Sequence, residues 1–282
     1  MDLITTTAVY NMHVPMRHII HSLSDVGFRK LDLAFDYCMK NDFVTNRWEK
    51  WVYEVKDYAE EMGVEFVQAH GIGDICRMQY NVEERNLAYR VLSASEILGI
   101  KCVVMHPYDT DFSKTVNVEE YVENNARMLA QYLKKCEELG ICLAIENLPW
   151  SNSAHAEALV QLVERMDSDY VGICWDTGHS YLLGQDVREV EKLGKFMVTM
   201  HAHDNFARLM DEHLIPYDGS YDWHQFLLSL KKIDYKGDFS LESHHQTLEA
   251  RNEEEVIGLL GHMYSVGMSL CEEWKRIKEC AI

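Results

Sequence analysis

Residues 172–186 read GICWDTGHSYLLGQD, an apolar run rich in β-formers that stops at Asp176 and is followed three residues later by His179. A strand that feeds a helix through a polar junction is how parallel α/β folds build sites, because side chains at the carboxyl end of such a strand face a crevice or a barrel mouth. A helix N-cap acid followed by an exposed histidine gives the same local pattern. The rest of the chain decides between the two.

The pattern recurs in both directions. Short β-branched segments read LITTTAVY (3–10), KLDLAFD (30–36), VEFVQAHG (64–71), KCVVMHP (101–107), CLAIENLP (142–149), VGICWDTGH (171–179), FMVTMHAHD (196–204) and FSLESHH (239–245). Between them lie longer amphipathic stretches. In residues 47–63, Trp48, Trp51, Val52, Val55, Tyr58, Ala59 and Met62 keep the spacing of one buried helical face, and Gly63 stops the helix. Residues 117–140 repeat the design and again end on glycine. Eight strand and helix units predict parallel strands joined by crossovers, and eight such units can close into a barrel. An open doubly wound sheet is the competitor, but no G-x-G-x-x-G turn follows the first strand. With no linker or shift in composition, residues 1–282 are expected to form a single-domain (β/α)8 TIM barrel of the α/β class.

Bulk composition narrows the function. The 282 residues are 47% hydrophobic, and 27 Lys and Arg stand against 46 Asp and Glu, for a net charge of −19. Such a field repels nucleic-acid phosphates and anionic membrane surfaces. Eight cysteines contain no C-x-x-C pair and sit partly within apolar runs, as buried thiols of a reducing compartment do. No segment has the length of a membrane span, and the first residues lack a basic region followed by a long apolar one, so a cytoplasmic location is expected.

The carboxyl ends of the strands carry Asp36, His70, His106, Glu146, Asp176 with His179, His201 with His203, and Glu242 with His244. In a barrel all of them converge on one mouth. Any one alone reads as an ordinary hydrogen-bonded side chain, but a ring of acids without a counter-ion would raise its own pKa values and destabilise the fold. A divalent cation resolves that conflict. Imidazole with carboxylate, and no thiolate at a strand end, suits Zn²⁺ or Mn²⁺, with Co²⁺ or Fe²⁺ also admitted, better than Ca²⁺ or Mg²⁺. In the loop of residues 201–223, Asp211 and His213 are two apart and can project to the same side, with Pro216 and Gly219 holding the return turn. Rim aromatics Tyr10, Phe35 and Trp150 are candidates to pack on a substrate, whereas Trp175, inside its strand, reads as core.

The segments VVMHPYD, LAIENLP, GICWDTGHSYLLGQD, MHAHDN, DEHLIPYDGSYDW and FSLES resemble, in order and spacing, the xylose isomerase-like barrel superfamily, from about Val64 to Glu242. That superfamily holds sugar isomerases and epimerases together with endonuclease IV-type repair enzymes. The epimerase branch implies one divalent metal held by Glu146, Asp176, His201 and Glu242, with His201 taken over His203 because it begins the H-x-x-D run. The repair branch adds ligands that match His70, His106, His179, Asp211 and His213. The N-terminal third lacks that branch's Gly-Ala-His-Val-Ser type opening, which together with the acidic balance makes nucleic acid an unexpected partner.

The resemblance thus implies a metal-dependent isomerase or epimerase of a small sugar or polyol-derived ketone. It would work by proton transfer beside a carbonyl through an enediolate, with Glu146 and Glu242 exchanging the proton. His179, Arg208, His244 and Trp150 are the candidate substrate contacts. The alternatives are an endonuclease IV-like phosphodiester hydrolase acting on abasic DNA and a non-catalytic sugar- or metal-binding subunit. Assembly into a homo-oligomer is left open.

Overall fold

The computed structural model describes residues 1–74, 81–109, 117–149, 152–208 and 210–277. Eight parallel strands run in the order of the chain: β1 (Leu3–Thr6), β2 (Lys30–Ala34), β3 (Glu65–Asp74), β4 (Cys102–His106), β5 (Cys142–Glu146), β6 (Val171–Asp176), β7 (Met197–His201) and β8 (Phe239–Leu241). From β1 to β7 each strand pairs with the next in sequence, and β1 also pairs with β8. The ring closes between β7 and β8 through Ala202, whose N–H donates to Ser240 O at 2.8 Å and whose carbonyl accepts from Glu242 N at 3.0 Å. The expected eight-stranded barrel is therefore present, and every strand segment anticipated above contributes to it.

Helices α1 (Met16–Val26), α2 (Trp48–Glu61), α3 (Val82–Leu98), α4 (Val118–Leu139) and α5 (Ala156–Met166) cross back between successive strands. A short α6 (Thr177–Leu182) and a 3-10 segment (Val187–Phe196) join β6 to β7, and α7 (Trp223–Lys232) joins β7 to β8. The chain ends with α8 (His245–Leu248) and the long α9 (Glu253–Arg276). In α2 the expected face is buried: Val52, Val55 and Ala59 are fully inside, with Trp48, Trp51, Tyr58 and Met62 packed around them. In α4, Asn117 caps the N-terminus by accepting from Glu120 N at 3.1 Å, and Gly140, at φ +66°, takes the left-handed turn that ends the helix. No described cysteine is in a disulfide; Cys102 and Cys142 are half-buried and the other four are buried. Cys76 and Cys280 lie outside the described residues. No helix among the described residues is long and apolar enough to cross a membrane.

Strand register levels the rim. Glu146 pairs with Cys174, Asp176 with His201, and Ala34 with His70, so the acids and imidazoles all fall within the last residues of adjoining strands, at the carboxyl end of the barrel. The loop after β7 is held by Asp204, which is fully buried and accepts from Asn205 N (2.9 Å), Tyr217 N (2.9 Å), Tyr221 N (3.0 Å) and Trp223 Nε1 (2.8 Å). That fixes the path carrying Asp211 and His213 to the mouth. Asp204→Ala leaves several buried donors unpaired, so chemical denaturation should show a loss of at least about 3 kcal/mol. A change below about 0.5 kcal/mol would show that the loop is held by something else.

Candidate metal centre

Glu146, Asp176 and His201 end β5, β6 and β7, and Glu242 follows β8; one donor atom from each lies within 4.8 Å of all the others. The Nδ1 atom of His201 is 2.9 Å from Glu146 Oε1 and 3.4 Å from Glu242 Oε2. The second oxygen of Glu146 faces another set. Oε2 stands 3.0 Å from His106 Nε2 and 3.4 Å from His70 Nε2, while those two nitrogens are 3.1 Å apart. Bonds of about 2.0–2.1 Å to a tetrahedral ion put neighbouring donor atoms about 3.3–3.4 Å apart, close to the separations seen here. Glu146 Oε2 is buried and lacks the alignment of a hydrogen bond to either imidazole. An orphaned carboxylate oxygen facing two imidazole nitrogens fits a cation.

A third set forms on the loop after β7. His179 Nε2 and His213 Nε2 are 3.1 and 3.0 Å from the same oxygen of Asp211. His213 holds a left-handed backbone, φ +40°, which is costly for a side chain of its size. The structure thus brings the residues expected from the sequence into three adjoining sets. His203, set aside above in favour of His201, also enters the mouth: its Nε2 is 3.0 Å from Asp176 Oδ1 and 3.7 Å from Asp211 Oδ1. It also stands within ligand reach of His179, Asp211 and His213, which makes it a further candidate donor of the third set. Its ring stacks on that of His213 at 3.9 Å with planes 18° apart, so His203 also braces that imidazole. Gly178 makes room for it, since a Cβ there would sit 1.9 Å from His203 Cε1.

Backbone carbonyls choose the tautomers. His70 Nδ1 donates to Gly71 O (2.9 Å), His179 Nδ1 to Asn147 O (2.8 Å) and His213 Nδ1 to Glu242 O (2.9 Å), which leaves each Nε2 lone pair facing its set. His201 is reversed. Its Nε2 faces Asp32 and its Nδ1 faces the acids.

These environments pull the proton affinities apart. Burial opposes charge on His70, yet the adjacent carboxylate of Glu146 and the charges of Asp36 and Glu242 carry it up to about 10. His179 and His201 are likewise raised against burial, by Asp176 and Asp211 around the first and by Glu242, Glu146 and the hydrogen bond to Asp32 around the second. Glu146 is held well below the usual carboxylate range despite its burial, by His201 and His106. Burial, reinforced by the like charge of Glu146, pushes Glu242 up to about 7 against the pull of His201. Cys174 also lies within reach of Glu146 and His201, but burial drives its thiol far up, so it stays neutral.

Other expectations fare unevenly. His244 does line the mouth: it stacks on His213 at 4.3 Å, its Nδ1 is buried without a hydrogen bond, and burial with the nearby imidazoles pushes it down to about 2. Arg208 is exposed and lies over the Phe206 ring at 4.8 Å, on the loop outside the sets. Trp150 lies outside the described residues. Phe35 is fully buried against Phe43, and Tyr10 is buried with its hydroxyl on Glu253 at 2.8 Å, so neither is a rim aromatic facing a substrate. Asp32 and Gln68 escaped the sequence reading because they lie within strands, below the rim; the only signal was a polar residue at an inward position of an apolar run.

Comparison with known proteins agrees with this architecture. The chain is 29% identical over 232 residues to an uncharacterised protein of Methanocaldococcus jannaschii, covering 79% of this chain and 78% of the other. It is 32% identical over 121 residues to a probable endonuclease 4 of Campylobacter concisus, covering 42% of this chain and 41% of that protein. Among solved structures, a D-tagatose 3-epimerase-like protein superposes with a TM-score of 0.75 at 21% identity, over 97% of this chain and 99% of the other. The IolI protein with a bound zinc atom superposes with a TM-score of 0.76 at 16% identity, over the whole of both chains. The family model described as xylose isomerase-like TIM barrel matches residues 20–264, and the chain belongs to that family.

Proposed function

We propose that the protein is a metal-dependent isomerase or epimerase of a small sugar or polyol-derived ketone. The observation that carries this reading is the pair Glu146 and Glu242, which reach the same His201 nitrogen from strands three apart while their proton affinities are driven in opposite directions. Two carboxylates tuned apart are what proton transfer beside a carbonyl requires. The epimerase fold neighbours and the zinc-bound IolI structure support it.

Glu146, Asp176, His201 and Glu242 would hold the principal ion, and His70 with His106, and His179 with Asp211 and His213, would hold others. A bound transition metal would supply fixed positive charge beside the enediolate oxygen of the substrate. The chain's own groups do the rest. Glu242, with a proton affinity near neutrality, takes the proton from one face of the substrate carbon. Glu146, given a proton by solvent in the mouth, delivers it to the other face, and Glu242 then releases the proton it took. His244, neutral and with a free buried nitrogen, can bond a substrate hydroxyl. The contacts of His179 with Asp211 and Asn147 support reading it as a member of the third set in preference to a substrate contact.

Metal-assisted phosphodiester hydrolysis is the second reading. It is favoured by the three adjoining sets, which would put cations side by side, and by the partial match to probable endonuclease 4. The −19 charge counts against a duplex substrate.

Glu242→Gln should lower deuterium exchange into the substrate, screened over ketoses and inositol-derived ketones in heavy water, by about 10²–10⁴-fold with the fold intact. Exchange at the wild-type rate would remove Glu242 from proton transfer. Efficient, salt-sensitive nicking of abasic DNA by the wild type would replace the isomerase reading with the hydrolase one. Metal binding should also expel protons, because His70, His179 and His201 are raised above their usual value and hold protons at pH 7 that a ligand must give up. Zinc titration calorimetry in two buffers of different ionisation enthalpy should therefore show net proton release and an affinity that rises with pH. No release would mean that these imidazoles are not ligands.

A further inference from the structure

We propose that Asp32, in the middle of β2, is the positioning residue that fixes which nitrogen of His201 faces the metal centre. The inference rests on the reading that His201 is a ligand. Asp32 is 1% exposed inside the barrel, below the rim and out of reach of a substrate in the mouth. Its Oδ2 is 3.2 Å from His201 Nε2 and 2.6 Å from Gln68 Nε2, and its Oδ1 is buried with no hydrogen-bond partner. The Gln68 amide nitrogen also lies 3.2 Å from His201 Nε2, but its two hydrogens go to Asp32 Oδ2 and Ser240 Oγ, so the imidazole proton belongs on Nε2, where Asp32 accepts it, and the lone pair on Nδ1. That lone pair lies 2.9 Å from Glu146 Oε1 and 3.4 Å from Glu242 Oε2.

The arrangement is the reverse of the other imidazoles. His70, His179 and His213 donate Nδ1–H to neutral backbone carbonyls, which no substitution can remove; His201 alone among these relies on a charged side chain. Asp32 is itself locked from three other strands. Gln68 on β3 donates to it, the Thr199 hydroxyl on β7 donates to Gln68 Oε1, and Ser240 Oγ on β8 lies 3.4 Å from Gln68 Nε2. Besides fixing the tautomer, the unshared negative charge makes the imidazole a stronger donor to a cation. A carboxylate buried with one bare oxygen is a poor device for stability alone, since a neutral polar or apolar group of the same size would cost less to bury.

Asp32→Asn tests this, because the amide oxygen can still accept from both neighbours while the charge is gone. Chelator competition should show zinc affinity falling by about 10–100-fold relative to wild type, with the unfolding midpoint of the metal-free protein unchanged or raised. In parallel, the ¹⁵N spectrum of histidine-labelled, zinc-loaded wild type should show His201 bound through Nδ1 and protonated at Nε2, opposite to His70, His179 and His213. Wild-type affinity in Asp32→Asn, or His201 bound through Nε2, would overturn the role of Asp32 while leaving the metal reading intact. If Asp32→Asn does not fold, the wild-type spectrum decides alone. A wild type that binds no zinc would defeat the metal reading itself, and this inference with it.

Discussion

The carboxylate of Glu146 is 1% exposed and faces imidazoles with both of its oxygens, His201 on one side and His70 with His106 on the other. A charge so placed cannot be solvated by water, and no Lys or Arg pairs with it among the described residues. It must be balanced by protons on the surrounding histidines or by cations. Every other feature of the mouth follows from that requirement. Asp176, Glu242 and Asp32 add further buried or half-buried acid around the same histidines, and the exposed Asp211 joins them, more negative charge than one divalent ion neutralises. Adjoining cation sites sharing Glu146 would answer the excess.

The barrel makes this tolerable by keeping the cost local. Below the rim the strands pack an apolar interior, including Val104, Ala144 and Cys174, and the polar groups within it are linked through the Asp32, Gln68, Thr199 and Ser240 network, which leaves Asp32 Oδ1 bare. At the rim, side chains are oriented by groups that do not move: backbone carbonyls for His70, His179 and His213, and the Asp204-anchored loop for Asp211 and His213. Donors preorganised in this way lose little freedom on binding an ion, which favours tight binding and a fixed reaction geometry.

Much of this was legible in the sequence, for a physical reason. A parallel barrel forces each strand to read as a buried run and places its next polar residue at the mouth, so Glu146 and Asp176 announce themselves by position, while His201 is taken over His203 only through the H-x-x-D run of the resemblance. The i, i+2 pair Asp211 and His213 could be read the same way, and both side chains do reach one set. What periodicity cannot supply is orientation. Arg208 looked like a contact from its place in the loop but lies over Phe206, and the rim aromatics Phe35 and Tyr10 are core. His203 and His201 were separable by motif but not in duty, because the brace depends on a stacking angle. Asp32 and Gln68 were hidden because a polar residue within a strand has no local partner; theirs come from strands far along the chain.

The central claim is that the mouth is a metal centre organised by Glu146. Its most direct measurement is zinc titration of metal-free protein, with bound metal counted per chain and the unfolding midpoint followed at each step. The account expects more than one equivalent bound, a midpoint that rises with free zinc as a native-state ligand requires, and the loss of both in Glu146→Ala. A protein that retains no transition metal, and whose midpoint does not move when zinc, manganese or cobalt is added, would contradict it.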